Sequence, residues 1–162
     1  MPTRKQNKAL GRKFLVIIDN TEECKTALIY AAHRAKATNG RLVLLSVISP
    51  AEFQHWIGIG NIMREEATRT MQEALDKRVE IAKSIMSDVP NTLIREGIIS
   101  EEILKLIEED EDIAILVLAA GTGKDGPGPL VSNLATKAAG TFPIPVTIVP
   151  GAMSDEDIQA IA

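Results

Sequence analysis

The chain has 162 residues, which at about 150 residues per domain is the length of one compact domain with short tails. Hydrophobic residues make up 45% and aromatics 3%, so the core must be aliphatic, and platforms on which single-stranded nucleic acids stack are scarce. A formal net charge of −4 argues against general attraction to phosphate backbones or anionic membranes, and a lone cysteine, Cys24, leaves no internal disulfide and no cysteine-held metal.

Arg4, Lys5, Lys8 and Arg12 stand in a stretch without apolar patterning, so residues 1–12 read as a basic N-terminal tail. No apolar run approaches the roughly 18 residues that span a bilayer, and no apolar stretch follows the basic leader as in a signal peptide. A cytoplasmic protein without membrane or nucleic-acid partners is expected.

Phe14 to Ile18 is a continuous apolar run ending at Asp19, the pattern of a strand buried on both faces. Asn20 with Glu23 three residues on predicts a capped helix through Cys24, Ala27, Leu28, Ala31, Ala32 and Ala35, stopped by Asn39 and Gly40. Arg41 to Ile48 predicts the second strand. An irregular stretch with Phe53, His55 and Trp56 follows, a packed cover or a lid, and then a long amphipathic helix from about Ile62 to Met86. Thr92 to Gly97 predicts a third strand, with Ser100 capping a helix from Ile103 to Glu109, and Ile113 to Ala119 a fourth. A glycine-proline loop from Gly121 to Pro129 precedes a small helix through Leu134, Ala135, Ala138 and Ala139. Val146 to Val149, framed by prolines, is the last strand, and residues 151–162 read as an acidic C-terminal tail. This alternation predicts an α/β fold: one doubly wound domain over residues 13–150, with a five-stranded parallel sheet and helices on both faces.

In such sheets ligands bind beyond the carboxyl ends of the strands, which directs attention to Asp19, to the segment after Ile48 and to the loop after Ala119. Asp19 can accept hydrogen bonds from an amine or ribose edge, or cap the next helix. Gly121, Gly123 and Gly126 satisfy G-x-G-x-x-G, but after the fourth strand instead of the first, and without the ribose-binding acid that a dinucleotide fold needs. A phosphate-loop reading of Gly123 and Lys124 fails, because Leu118 stands at its first glycine and Asp125 follows the lysine. What remains is a glycine loop that is either a connector or an anion cradle, with Ser132 and Asn133 able to offer hydrogen bonds. His33 and His55 have no Asp or Cys at metal-ligand or triad spacing, so catalysis gains no support.

From Lys13 to Val149 the chain resembles the universal stress protein family, through FLVIID with Thr21, ALIYAAHRA, LLSVI, REG with SEEIL, and IAILVLAAGTG leading to Ser132 and PIPVTIV. The resemblance implies strand order 3-2-1-4-5 and an adenine nucleotide, such as ATP with Mg, held with its base near Asp19 and Val47. Its phosphates would lie along Gly121 to Ser132. Nucleotide-binding members carry G-x2-G-x9-G-S/T after the fourth strand. With Ser132 in the last place, Gly121 matches, while Leu118 and Val131 stand where glycines belong, so ATP affinity is expected to be weak. The implied function is a stress-response binding or regulatory module, not an enzyme beyond a slow ATPase. The alternatives are a protein-interaction subunit with an empty pocket and, from another class, a nucleotidyl-transfer enzyme, which would need catalytic residues this chain does not show. A homodimer is expected through the last strand, whose Val146, Ile148 and Val149 suit an edge paired with a second copy and whose pairing a proline at Thr147 should interrupt. A regulatory protein partner is expected as well.

Overall fold

The aliphatic runs form the five strands of one sheet: β1 (Lys13–Ile17), β2 (Arg41–Ile48), β3 (Asn91–Glu96), β4 (Ile113–Ala120) and β5 (Val146–Pro150). In this computed structural model, which describes residues 11–19, 21–49, 61–136 and 138–162, every neighbouring pair is parallel and the order is β3-β2-β1-β4-β5. β1 and β2 are buried along nearly their whole length, as continuous hydrophobic runs covered on both faces must be.

Helices α1 (Glu23–Thr38) and α2 (Asn61–Ile85) cover one face, where Val16, Leu44 and Val117 pack against Leu28, Ala31 and Leu75. Helices α3 (Ile99–Glu109) and α4 (Pro129–Thr136) cover the other, where Leu15, Val43 and Leu116 meet Ile103, Ile107 and Leu134. The chain therefore winds outward from β1 on one face and from β4 on the other. The helices diverge between those two strands, leaving a crevice at their carboxyl ends. Among the described residues no helix is long and apolar enough to cross a membrane.

Several local expectations are corrected. Asn20 lies outside the described residues; Glu22 occupies the N-cap position of α1 without a side-chain cap bond. Asn39 ends that helix in the left-handed conformation at φ 55°, and the Gly40 N–H returns to the Ala35 carbonyl at 2.7 Å. α3 starts at Ile99, so Ser100 sits inside its first turn and does not cap it. α4 starts and ends earlier than its alanines suggest. Pro129 begins it, because the first helical position needs no N–H and the proline ring presets φ.

The largest correction concerns residues 151–162. They are not a tail: Ser154 caps a short helix, α5 (Asp155–Ile161), by accepting from the Asp157 N–H at 3.1 Å. Ile158 is fully buried. The segment is held to α1 by the Thr26 hydroxyl on the Gly151 carbonyl at 3.2 Å and by Arg34 on the Ala162 carbonyl at 3.1 Å. Gly151 continues the ladder by donating to Ala120 O at 3.0 Å, and a Cβ at that position would overlap the same oxygen. The acidic run that suggested a solvated tail is the first turn of this helix, where carboxylates oppose the positive end of its dipole.

Candidate functional site

A cavity of about 440 Å³ opens at the carboxyl ends of β1 and β4. Its floor is Ile17, Leu118 and Ala119 from the two strands. Three helix starts converge on it: Thr21, Glu23 and Cys24 at α1, Ile99 and Ser100 at α3, and Leu130, Val131 and Asn133 on α4. In a parallel sheet every helix begins just after a strand's carboxyl end, so their N-terminal N–H groups and positive dipole ends gather at that end of the molecule.

Asp19 lines the cavity and is exposed, and one of its oxygens is already engaged. Asp19 Oδ1 accepts from the Thr21 N–H at 2.8 Å and from the Thr21 hydroxyl. This side-chain turn, made through Oδ1, shapes the step from β1 into α1. Beneath it, the buried Ser46 hydroxyl donates to the Ile18 carbonyl at 3.0 Å, which holds β1 to β2 at its end. The Cys24 thiol donates to the Asp19 carbonyl at 3.5 Å. Burial pushes that thiol above its ordinary value of 9.0, so it stays protonated at neutral pH.

The glycine loop closes largely on itself. Gly121 donates its N–H to the Pro127 carbonyl at 3.0 Å, and Gly126 donates to Gly123 at 3.2 Å. Gly126 and Gly128 take φ of +79° and +104°, conformations that other residues reach only with strain. At the start of α4 the first intrahelical bond runs from Ser132 N–H to Gly128 O at 3.0 Å, so the N–H groups of Leu130 and Val131 precede the helical ladder. That edge can receive an anion. Glu23 faces the loop from the opposite side, with Oε1 3.0 Å from where a Cβ on Gly121 would lie.

Of the residues expected at the site, Asp19 and Asn133 line the cavity together. Gly121, Gly123 and Gly126 belong to the adjoining loop. Ser132 is exposed on α4, its carbonyl accepting from the Thr136 hydroxyl at 2.6 Å. Val47 lies on β2 among the residues packed against the face of α3 and α4, and is not one of the lining residues. The segment after Ile48, with His55 and Trp56, lies from residue 50 to 60 outside the described residues. Leu118 and Val131 are buried and form part of the apolar wall, so they narrow the cavity where glycine would open it. Sequence reasoning missed Thr21, Glu23, Ile99 and Ser100. The rule that ligands gather at the strands' carboxyl ends could have found the first two, but the approach of α3 depends on tertiary packing. Among the described residues, no three His, Cys, Asp or Glu side chains are grouped so that they could hold a metal ion.

Among solved structures the fold resembles universal stress protein UspA from Lactobacillus plantarum, with a TM-score of 0.67 and 19% identity over 85% of this chain and 97% of that one. It resembles a universal stress protein in complex with cAMP, with a TM-score of 0.61 and 16% identity over 87% of this chain and 98% of the other. It also resembles the universal stress protein from Archaeoglobus fulgidus in complex with dAMP, with a TM-score of 0.57 and 12% identity over 86% and 98% of the two chains. At these identities the likeness is one of fold. No curated protein matches the sequence. The sequence profile of the universal stress protein family matches residues 11–150, all five strands and the whole cavity, and the chain belongs to that family.

Proposed function

We propose that this protein binds an adenine nucleotide in the cavity between β1 and β4 and works as a ligand-binding regulatory module, not as an enzyme. The observation that carries the reading is the cavity itself. It holds an exposed carboxylate, Asp19, together with the start of α4 and its Leu130 and Val131 N–H groups. The family relatives with cAMP and dAMP support the choice of nucleotide. In this reading Asp19 meets the ribose or base, Asn133 and the start of α4 meet phosphate, and ATP with Mg is a weak ligand because Leu118 and Val131 narrow the wall. Native mass spectrometry of freshly purified protein, followed by calorimetric titration with cAMP and AMP, tests it. One nucleotide per chain is expected, with Asp19→Ala weakening binding by about tenfold or more. Wild-type protein that binds neither nucleotide would favour the second reading, a protein-interaction subunit, which the leucine and valine filling the wall support.

We further propose that β5, an edge strand, pairs with β5 of a second copy. Val149 is buried in the core and contributes nothing outward, whereas Ile148 is 39% exposed. Leu116 N–H bonds Pro145 O and Gly151 N–H bonds Ala120 O, so the register turns the N–H groups of Thr147 and Val149 toward β4 and that of Ile148 away. A proline at Thr147 would therefore damage the sheet itself, and Ile148→Pro is the proper probe of the edge. Sedimentation of the wild type as a dimer and of Ile148→Pro as a folded monomer is expected; a wild-type monomer at micromolar concentration would refute the pairing.

A further inference from the structure

Resting on the nucleotide reading above, we infer that Glu23 makes this cavity selective by charge, admitting an adenine nucleotide with one phosphate, above all a cyclic monophosphate, and rejecting di- and triphosphates. The charged side chains lining the cavity, among the described residues, are the carboxylates of Asp19 and Glu23, and no lysine or arginine joins them. Their positions differ. Asp19 stands at the end of β1, on the side where a ribose edge would be held. Glu23 reaches across to the glycine loop, with Oε1 3.0 Å from the place of a Cβ on Gly121. A polyphosphate running from the cavity along that loop would bring its outer charges against this carboxylate.

The loop's two charged residues, Lys124 and Asp125, are adjacent and opposite in sign, so the loop adds no net positive charge to offset the repulsion. The N–H groups of Gly121 and Gly126, which a phosphate cradle would present, are bonded to Pro127 and Gly123 within the loop. Beside the cavity, the N–H groups of Leu130 and Val131 precede the helical ladder of α4 and Asn133 lies one turn on, so these donors cluster at the helix start. Two N–H groups and a helix start suit one phosphate. Each further phosphate adds negative charge nearer to Glu23, where partial burial keeps the effective dielectric below that of water and the repulsion correspondingly stronger.

Calorimetric titration of the full chain with cAMP, AMP and ATP in magnesium-free buffer, wild type against Glu23→Gln, tests this. The wild type should bind cAMP at least about tenfold more tightly than ATP, and Glu23→Gln should raise ATP affinity by about tenfold while changing cAMP affinity by less than about threefold. Glutamine keeps the shape of the side chain, and a wild-type salt series gives a reading independent of the variant: added NaCl should narrow the gap between cAMP and ATP by screening the carboxylate. ATP binding as tight as cAMP in the wild type, or an ATP-to-cAMP ratio that neither the substitution nor salt alters, overturns the role of Glu23. Failure of all three nucleotides to bind overturns the nucleotide reading beneath it, a distinct result.

Discussion

The two ends of the sheet use charge in opposite ways. At the amino ends of the strands, Lys13 Nζ lies 2.6 Å from Asp110 and Arg41 lies 3.2 Å from Asp112, while the Lys13 N–H bonds the Asp112 carbonyl at 2.9 Å. Charges there are matched across β1, β2 and the turn before β4, and they close the sheet. At the carboxyl ends, Asp19 and Glu23 face a cavity, together with the starts of α1, α3 and α4. The sheet is the same, and only the direction of the chain differs. Helices end at the amino side in tight turns such as Asn39 and Gly40, and begin at the carboxyl side, where outward winding in opposite directions leaves a crevice at the ends of β1 and β4. A charged residue at a strand's end is thus structural or available according to which end it occupies.

The sharpest way to break this contrast is to ask whether the cavity wall is also core. Leu118→Ala should cost about 2–4 kcal/mol in urea unfolding, because Leu118 is 5% exposed and packed within the α3 and α4 face. A cost under about 1 kcal/mol would mean that the carboxyl end tolerates collapse and that the wall is not rigid. Next in size, truncation after Gly151 should lower stability by about 2 kcal/mol, since it exposes the pocket filled by Ile158 and removes the bond from Arg34. A melting temperature unchanged by that truncation would return the segment to the status of a tail.

At the amino end, Lys13→Met should destabilise by about 1 kcal/mol, with the loss smaller in high salt, because the pair with Asp110 is partly exposed. A loss beyond about 3 kcal/mol would show that the amino end depends on charge far more than partial exposure allows. The smallest effect concerns Cys24, which burial keeps protonated in the folded state above its ordinary value of 9.0. In the unfolded chain the thiol ionises at that ordinary value, so its contribution to stability is whole below about pH 9 and is lost as pH rises through the higher folded value. Cys24→Ala should lower the stability–pH curve uniformly through the lost core volume and flatten its alkaline limb; an alkaline limb of unchanged shape would refute the assignment.

The strands, their alternation with helices and the doubly wound class were legible because they rest on local patterns. FLVII and RLVLLSVI read as doubly buried strands from their unbroken aliphatic character, and the period of α1 from its spaced alanines. Asp19 was legible as a residue lining the cavity for a related reason, since a carboxylate ending a buried strand stands at a predictable place. Ser100 misled as a cap because capping depends on where the backbone leaves helical geometry, and neighbouring elements set that point.

The amino-acid sequence by itself determined the fold class, the five strands, the resemblance to the family and the end of the sheet where the cavity opens, because burial periodicity and chain direction are encoded residue by residue. Only the tertiary structure decided that residues 151–162 dock on α1, that Glu23 faces Gly121, and that Gly121 and Gly126 bond their N–H groups within the glycine loop. It also decided that the Ile148 N–H, not that of Thr147, points outward. Each of these depends on contacts between segments distant in the chain, and hydrogen-bond partners and strand register are fixed by what lies opposite, which no local pattern contains.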